Sequence, residues 1–285
     1  MQKGVKEVPY GFIKHIESKG YSKETVLSYR KVLNLFIIHL NSIYPEGKEP
    51  YEINPSDIKN YLSNQLQDGK MISTLNKELG ILKTWFNYLW ERDIVKVDPA
   101  VKIKRLKTTD SLKIDITYED IQLLLPKVLS NPSYQPIRKV IFLLATKGLK
   151  TSDFRFTKDD ILISEKNNEI EIPLSNRKLI LKDQEADHFL EYYNSTLFNG
   201  SDFVFITNKS KEGPVAIEVM SILTHLRAIS NDYLPNFDIQ LTLVNMRRAL
   251  IYYLYTKKKL SIQQIAAELG IEEQSAANYL NKLAK

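Results

Sequence analysis

The sequence contains no cysteine in 285 residues. This excludes disulfides, thiolate nucleophiles and zinc sites built on cysteine. Histidine is also scarce: there are four, and none forms the H-x-x-x-H pair that would present two metal ligands on one helix face. We therefore expect no metal and no other cofactor.

Long apolar runs are missing as well. No stretch approaches the roughly 20 apolar residues that a helix needs to cross a bilayer. The first residues, "MQKGVKEVPYGF", lack the apolar segment of a secretory signal. The sequence predicts a soluble, cytoplasmic protein without a membrane partner.

Charge is unevenly distributed along the chain. Residues 1–107 hold 18 Lys and Arg against 12 Asp and Glu, which accounts for the whole net charge of +6, whereas residues 108–285 hold 22 of each. Such asymmetry indicates a polyanionic partner for the first part of the chain, although a mildly basic solvated surface has the same composition.

The first hundred residues predict a helical domain, 1–100. Ser22 precedes a long amphipathic helix, Asn54 and Pro55 begin another, and Ser73 or Thr74 is placed to cap a third. With residues 9–19 this makes a bundle of four helices.

A basic segment separates this domain from a mixed one. Residues 101–113 carry Lys102, Lys104, Arg105 and Lys107 in a stretch too short and polar for a core of its own, so we interpret it as an interdomain linker. In the second domain, 114–285, Thr117 is a predicted helix cap. The runs "DILIS", "EIEIPL" and "KLIL" predict an antiparallel meander inside helices. The fold class is mainly α with a small antiparallel β-sheet (α+β).

In both domains the sequence resembles the tyrosine recombinase (phage integrase) family. The first domain carries "STLNKELGILKTWFNYL" and "VDPAVKIKRLK", where the family has a helix and then Asn-Pro with a basic linker. The second carries "LLATKGLKTSDF", similar to "ATGLR-x-SE", "VNMRRAL", similar to H-x-x-R-H, and "LGIEEQSAANYL", similar to "LGH…Y". The resemblance implies a two-domain, C-shaped clamp around double-stranded DNA, in the bacterial cytoplasm and associated with the nucleoid.

In that family a tyrosine hydroxyl attacks a phosphodiester without a metal or cofactor. Arginines hold the phosphate oxygens, while lysine and histidine manage the protons. Carried over residue by residue, the first arginine is Lys150, which lacks the two-pronged grip of guanidinium. The motif histidine is Val244, and its arginine is intact as Arg247.

The remaining positions depart further from the family pattern. The hairpin lysine is Lys178, with Arg177 or Lys182 as alternatives. The second histidine is replaced by Ile271, or by Gly270 if one counts back from the tyrosine. Neither residue has a side-chain donor, so the resemblance implies a site that retains Arg247, Lys178 and Tyr279 as remnants and has lost cleavage.

Tyr279 has a second interpretation. "SIQQIAAELGIEEQSAANYLNKL" also fits a helix-turn-helix with Ala266, Gly270, Ala276 and Leu280 at its packing positions. Tyr279 is then a packing residue or a DNA contact rather than a nucleophile.

The resemblance assigns DNA contacts to three groups of residues: the degenerate site, the linker, and the helix that would face the major groove. They are Lys150, Lys178, Arg247, Arg248, Lys102, Lys104, Arg105, Lys107, Ser73, Thr74, Asn76, Lys77 and Lys83. Ordinary solvated side chains on helix surfaces are the alternative for each of them.

Three functions remain open. The first is a sequence-specific DNA-binding protein without cleavage that regulates transcription, as in integrase-like lysogeny repressors of temperate phages. The second is an active, divergent recombinase with Tyr279 as nucleophile. The third is an architectural or helper protein of a recombination complex. Besides DNA, the partners expected are a second copy of the chain or a phage regulatory protein.

Overall fold

The computed structural model describes residues 8–107, 116–209, 213–235 and 240–283. The chain divides into two compact units, Met1–Asp110 and Ser111–Lys285. Each unit has its own hydrophobic core. None of the helices in the described ranges is long and apolar enough to span a bilayer.

The first unit is built from helices, as predicted. The helix starts predicted at Ser22 and Asn54 are confirmed: Ser22 Oγ accepts a hydrogen bond from the Thr25 amide at 3.2 Å, and Asn54 occupies the N-cap, where its backbone amide donates to Asp57 Oδ2 at 2.9 Å. Its helices are α1 (Phe12–Ser18), α2 (Lys23–Ile43), α3 (Pro55–Gln67) and α4 (Ile72–Trp90).

The start of α4 differs from the prediction. The helix begins at Ile72, and Met71 occupies the N-cap without a side-chain hydrogen bond. Ser73 and Thr74 lie inside the first turn, so the prediction that one of them caps the helix is wrong. Their side chains are exposed.

Residues 101–107, interpreted from the sequence as the start of a linker, pack on the first unit. Ile103 is buried in its core, and Leu106 packs against the same cluster. The Asn76 side chain accepts from the Leu106 amide and donates to the Leu106 carbonyl, both at 2.8 Å. These apolar and polar anchors correct the interpretation for residues 101–107, while residues 108–113 lie outside the described residues.

The second unit combines helices with two small sheets. The predicted cap at Thr117 is confirmed, because its Oγ accepts from the Asp120 amide at 3.2 Å. The helices are α5 (Tyr118–Ser130), α6 (Pro136–Thr146), α7 (Gln184–Thr196), α8 (Val219–Tyr233), α9 (Leu243–Thr256), α10 (Ile262–Leu269) and α11 (Glu273–Leu283).

The predicted meander is the larger sheet. Its strands are β1 (Leu162–Ser164), β2 (Glu169–Leu174) and β3 (Arg177–Lys182), antiparallel and in that order. Leu179 and Leu181 of β3 are buried, and a two-residue turn, 175–176, joins β2 to β3. A second hairpin, β4 (Ile206–Lys209) and β5 (Gly213–Ala216), was not predicted, because its short strands lack a clear alternation of apolar and polar residues.

Candidate functional site

Arg247 lies on the first turns of α9 and points into the second unit. Thr242 caps this helix, accepting from the Asn245 amide at 3.1 Å. Arg247 is only 6% exposed, and its Nη2 donates to the Leu269 carbonyl at 3.3 Å. Its buried Nε has no hydrogen-bond partner among the described residues. A buried cation with an unused donor is a candidate binding group for an anion.

Arg177 follows the hairpin turn and lies beside Arg247. Its Nη1 donates to the Glu268 carbonyl at 2.5 Å, and its Nη2 donates to the Lys147 carbonyl at 2.7 Å. Burial lowers the pKa of Arg177, and the positive charge of Arg247 lowers it further. Two guanidinium groups are therefore held close together against their mutual repulsion.

The carboxyl end of α10 holds both arginines. Three successive carbonyls there each accept a hydrogen bond from a different side chain, because a helix end leaves its last carbonyls free. The pairs are Glu268 with Arg177, Leu269 with Arg247, and Gly270 with Asn176 at 3.2 Å. These carbonyls and the negative end of the helix dipole partly compensate the two cations.

Two glycines allow this close packing. Gly270 has φ +59°, and a Cβ there would lie 3.2 Å from Arg177 Cγ. Gly148, which follows α6, has φ +76°, and its Cβ would lie 2.9 Å from a Leu250 methyl and 3.0 Å from a Leu269 methyl. The ends of α6 and α10 therefore meet at the site only because both positions lack side chains.

Lys150 completes a small basic pocket. Its side chain is 52% exposed, with Nζ 3.9 Å from Asp153 Oδ1. Asp153 also accepts from the Lys150 amide at 2.9 Å. The polar residues that line the pocket are Lys150, Asp153, Ser175, Asn176, Arg177 and Arg247. We call this set the basic pocket.

The structure places the three candidate residues of the hairpin differently. Lys178 points away from the basic pocket and pairs with Glu171 at 2.6 Å, and Lys182 pairs likewise with Glu169 at 3.0 Å. Arg177 is the alternative that reaches the pocket. The signal was present in the sequence, because side chains alternate along a strand and Arg177 shares a face with the buried Leu179 and Leu181.

The positions of the missing donors are apolar in the structure too. Val244 is 51% exposed on the first turn of α9. Ile271 is partly buried and packs against the hydrophobic core. Neither side chain lines the basic pocket.

Tyr279 lies on α11, partly buried, and packs against the core of the second unit. It does not line the basic pocket. The two helices of the predicted helix-turn-helix are present as α10 and α11. Ala266 on α10 and Ala276 on α11 are both buried in the core of the second unit. This placement agrees with the packing interpretation of Tyr279.

Arg248, next to Arg247 on α9, is half-buried. Its Nε is buried without a hydrogen-bond partner among the described residues, and its side chain does not line the basic pocket. Within the same described ranges, no group of three or more His, Asp or Glu side chains is placed to hold a metal ion.

The first unit presents its own set of polar side chains. Asn76 and Lys83, two of the predicted DNA contacts, bind the backbone of residues 101–107: Asn76 binds the Leu106 backbone, and Lys83 Nζ donates to the Val101 carbonyl at 3.1 Å. The exposed members of the predicted set are Ser73, Thr74, Lys77, Lys102, Lys104, Arg105 and Lys107.

The sequence of the first unit matches a known domain. Residues 11–93 match the family described as "Phage integrase, N-terminal SAM-like domain". The chain is also 26% identical over 148 residues to the tyrosine recombinase XerC of Thermodesulfovibrio yellowstonii. This match covers 50% of this chain and 46% of the relative. Residues 11–93 thus carry a phage integrase domain, and the chain as a whole is similar to tyrosine recombinases.

A second relative, the tyrosine recombinase XerD of Listeria monocytogenes, is 24% identical over 148 residues, covering 52% of this chain and 50% of that protein. The chain thus spans about half the length, or less, of the curated relatives it matches.

Solved structures of the family share the fold. A lambda integrase dimer bound to a COC′ core site superposes with a TM-score of 0.67 at 13% identity, covering 94% of this chain and 92% of that chain. The XerH site-specific recombinase bound to a palindromic difH substrate, a post-cleavage complex, gives a TM-score of 0.70 at 13% identity, covering 93% of this chain and 78% of that one.

Proposed function

We propose that this protein binds double-stranded DNA at a specific sequence without cutting it, and so regulates transcription, most simply as a repressor in a temperate phage. The main support for this proposal is the set of residues in the basic pocket and at the two histidine positions of the family motif. Positive charge is kept in Arg247, Arg177 and Lys150, whereas the positions of the two histidines hold Val244 and Ile271.

Binding and cleavage need different groups from such a pocket. A ground-state phosphate needs only charge and hydrogen-bond donors, and the cations that line the basic pocket, Lys150, Arg177 and Arg247, supply both. Cleavage also needs donors aimed at the charge that develops in the transition state, and loss of one such donor costs about 2.7–4 kcal/mol in other enzymes. Two are absent here, so a rate loss of several orders of magnitude is expected even though such costs do not simply add.

The first unit supplies the rest of the proposed interface. Lys77 and residues 102–107 carry exposed cations for phosphates, and the hydroxyls of Ser73 and Thr74 lie exposed at the start of α4. Phosphate contacts set orientation and affinity, while side chains that reach base edges set the sequence. We assign the phosphate contacts to residues 102–107 and the contacts to base edges to the first turn of α4.

The decisive experiment uses a bound DNA site, selected by affinity from the source genome, that carries a nick to trap any attack. Wild type and Tyr279→Phe are compared on native and denaturing gels. Tight binding on the native gel without a covalent band on the denaturing gel is the expected result. A covalent band that disappears in Tyr279→Phe would refute the proposal.

An active, divergent recombinase is the second candidate, and one observation favours it. Arg177 brings a second guanidinium to the basic pocket, where Lys150 has replaced the family arginine. If Arg177 substitutes for that arginine, Arg177→Lys should abolish the covalent band of the same assay while binding on the native gel persists. Without a covalent band in wild type, this candidate fails.

A further inference from the structure

The second unit contains a cavity that is distinct from the basic pocket. It measures about 870 Å³ and lies between β3, α5, α9 and α10. This volume is within the range of about 300–1,000 Å³ that small-molecule sites occupy. The cavity is open to solvent on one side, so a ligand can enter without unfolding.

The walls combine apolar surface with unbalanced positive charge. Leucines of β3, α9 and α10 form the apolar part. The charged residues of the lining are Lys147, Arg177, Lys178, Lys258 and Glu268, four cations and one carboxylate. An apolar wall with an excess of cations is complementary to an amphipathic anion.

Two of the four cations have no carboxylate partner in the part of the chain that the structure describes. Lys147 pairs with Glu185 and Lys178 with Glu171, each at 2.6 Å. Lys258 and Arg177 form no ion pair with any residue in the described ranges, and Arg177 binds only backbone carbonyls. These two side chains are the available binding groups for a ligand headgroup.

Arg177 also connects the cavity with the basic pocket, because its side chain lines both. Its bond to the Glu268 carbonyl ties the hairpin to the end of α10, where Arg247 is bound through the adjacent Leu269 carbonyl. A stronger acceptor in the cavity would compete for Arg177, since a charged acceptor binds guanidinium more strongly than a neutral carbonyl. The end of α10, and with it Arg247, would then lose one of its attachments.

We propose that this cavity is an effector site for a small amphipathic anion, an apolar chain or ring with one carboxylate, which pairs with Arg177 and Lys258 and weakens DNA binding at the basic pocket. The effect on DNA rests on the proposed function, whereas binding of the anion does not. The cavity and the basic pocket thus become two coupled sites linked through one side chain.

Binding is tested first, by titration calorimetry on the whole protein without DNA, with decanoate as the probe. Ala267→Trp fills the cavity from an exposed position of α10 that lines it. Gln263→Trp adds the same side chain to an exposed position of that helix outside the lining. We expect one decanoate per chain, at least tenfold weaker binding in Ala267→Trp and in Lys258→Glu, and unchanged binding in Gln263→Trp.

Butyrate, with the same headgroup and little apolar surface, should bind at least tenfold more weakly than decanoate. No binding of decanoate to wild type, or equal binding to wild type and Ala267→Trp, would overturn the proposal.

Coupling is tested next, by measuring DNA affinity with and without saturating decanoate. A loss of at least fivefold is expected in wild type and Gln263→Trp, and no change in Ala267→Trp. Decanoate that binds in the cavity and leaves DNA affinity unchanged refutes the regulatory role. If the protein binds no DNA at all, the proposed function fails, while the calorimetry still decides whether the cavity is a ligand site.

Discussion

In the first unit two buried carboxylates, Asp57 and Glu78, are fully paired, whereas in the second unit the guanidinium groups of Arg177 and Arg247 have no carboxylate partner among the described residues. Asp57 accepts from the Tyr44 hydroxyl at 2.9 Å, the Lys48 ammonium at 2.6 Å and the Asn54 amide at 2.9 Å. Glu78 accepts from Tyr61 and Lys70 in the same way.

The difference indicates what each set of charges is for. A buried carboxylate whose two oxygens both accept hydrogen bonds, one of them from an ammonium group, is already satisfied within the fold. A buried guanidinium bound only to neutral carbonyls, with Nε of Arg247 unused, keeps capacity for a further ligand. We therefore expect mutations in the first set to change stability and mutations in the second to change DNA affinity.

The largest effect is expected for Asp57→Ala. The change leaves the Lys48 ammonium, only 14% exposed, without its partner, and breaking a buried ion pair costs about 3 kcal/mol. Urea unfolding should show this loss, and amide exchange should place it in α3. Asp68→Ala, at the exposed end of the same helix, is the matched control and should change stability by less than about 0.5 kcal/mol.

Acid should also destabilise the wild-type protein by removing the charge of Asp57. Burial alone would raise the pKa of Asp57, but the hydrogen bonds from Asn54, Lys48 and Tyr44 lower it below the ordinary value. A carboxyl with a lowered folded pKa stabilises fully above its unfolded pKa of about 3.9, and this contribution is lost as the pH falls through the folded value. Equal acid sensitivity in wild type and Asp57→Ala would contradict the assignment.

The second effect, on affinity rather than stability, is expected for Arg247→Met. Hydrogen bonds to charged groups are worth about 1.5–3 kcal/mol, so DNA affinity should fall roughly 10- to 100-fold. The slope of log affinity against log salt should become shallower by about one. Stability should not fall comparably, since an apolar replacement removes a buried charge.

Arg227→Met, an exposed arginine of α8, is the control for this experiment. Affinity and salt slope unchanged in Arg247→Met would show that the basic pocket does not hold a phosphate.

Local sequence signals predicted much of the fold. Ser22, Asn54 and Thr117 indicated helix starts because residues of these types are preferred at the N-cap, and all three occupy that position. Met71 gave no such signal, since its helix begins without a side-chain cap. The β4–β5 hairpin was missed because "ITNK" and "GPVA" are too short for alternation to stand out, and Gly and Pro usually indicate turns.

The site was harder to predict than the fold. Arg247 was identified from its motif, whereas Arg177 remained one of three alternatives, although strand alternation places it on the face of Leu179 and Leu181. The hydrogen bonds between Asn76 and Leu106 join residues 30 positions apart, so no local sequence pattern predicts them. The same is true of the three carbonyls at the end of α10, which meet the hairpin turn only through tertiary packing.

Asn76→Ala, the third prediction, separates positioning from base reading. It removes two hydrogen bonds of 2.8 Å to the Leu106 backbone, at about 0.5–1.5 kcal/mol each. Faster exchange of the Leu106 amide and equally weakened binding to specific and non-specific DNA are expected. Asn87→Ala, an exposed asparagine later on α4, should do neither. Relaxed specificity at a single base pair would restore the base contact first predicted for Asn76.

The smallest effect is expected for Lys178→Gln, which tests the assignment of the hairpin position. The Lys178–Glu171 pair is exposed, with the lysine side chain 67% accessible, and such pairs contribute about 0–1 kcal/mol. Arg177→Gln, one residue earlier, removes bonds to two carbonyls and a charge of the basic pocket, so it should weaken DNA binding clearly more. Competition gel shifts on both variants test this order, because a loss in Lys178→Gln as large as that in Arg177→Gln would show that Lys178 also contacts the DNA.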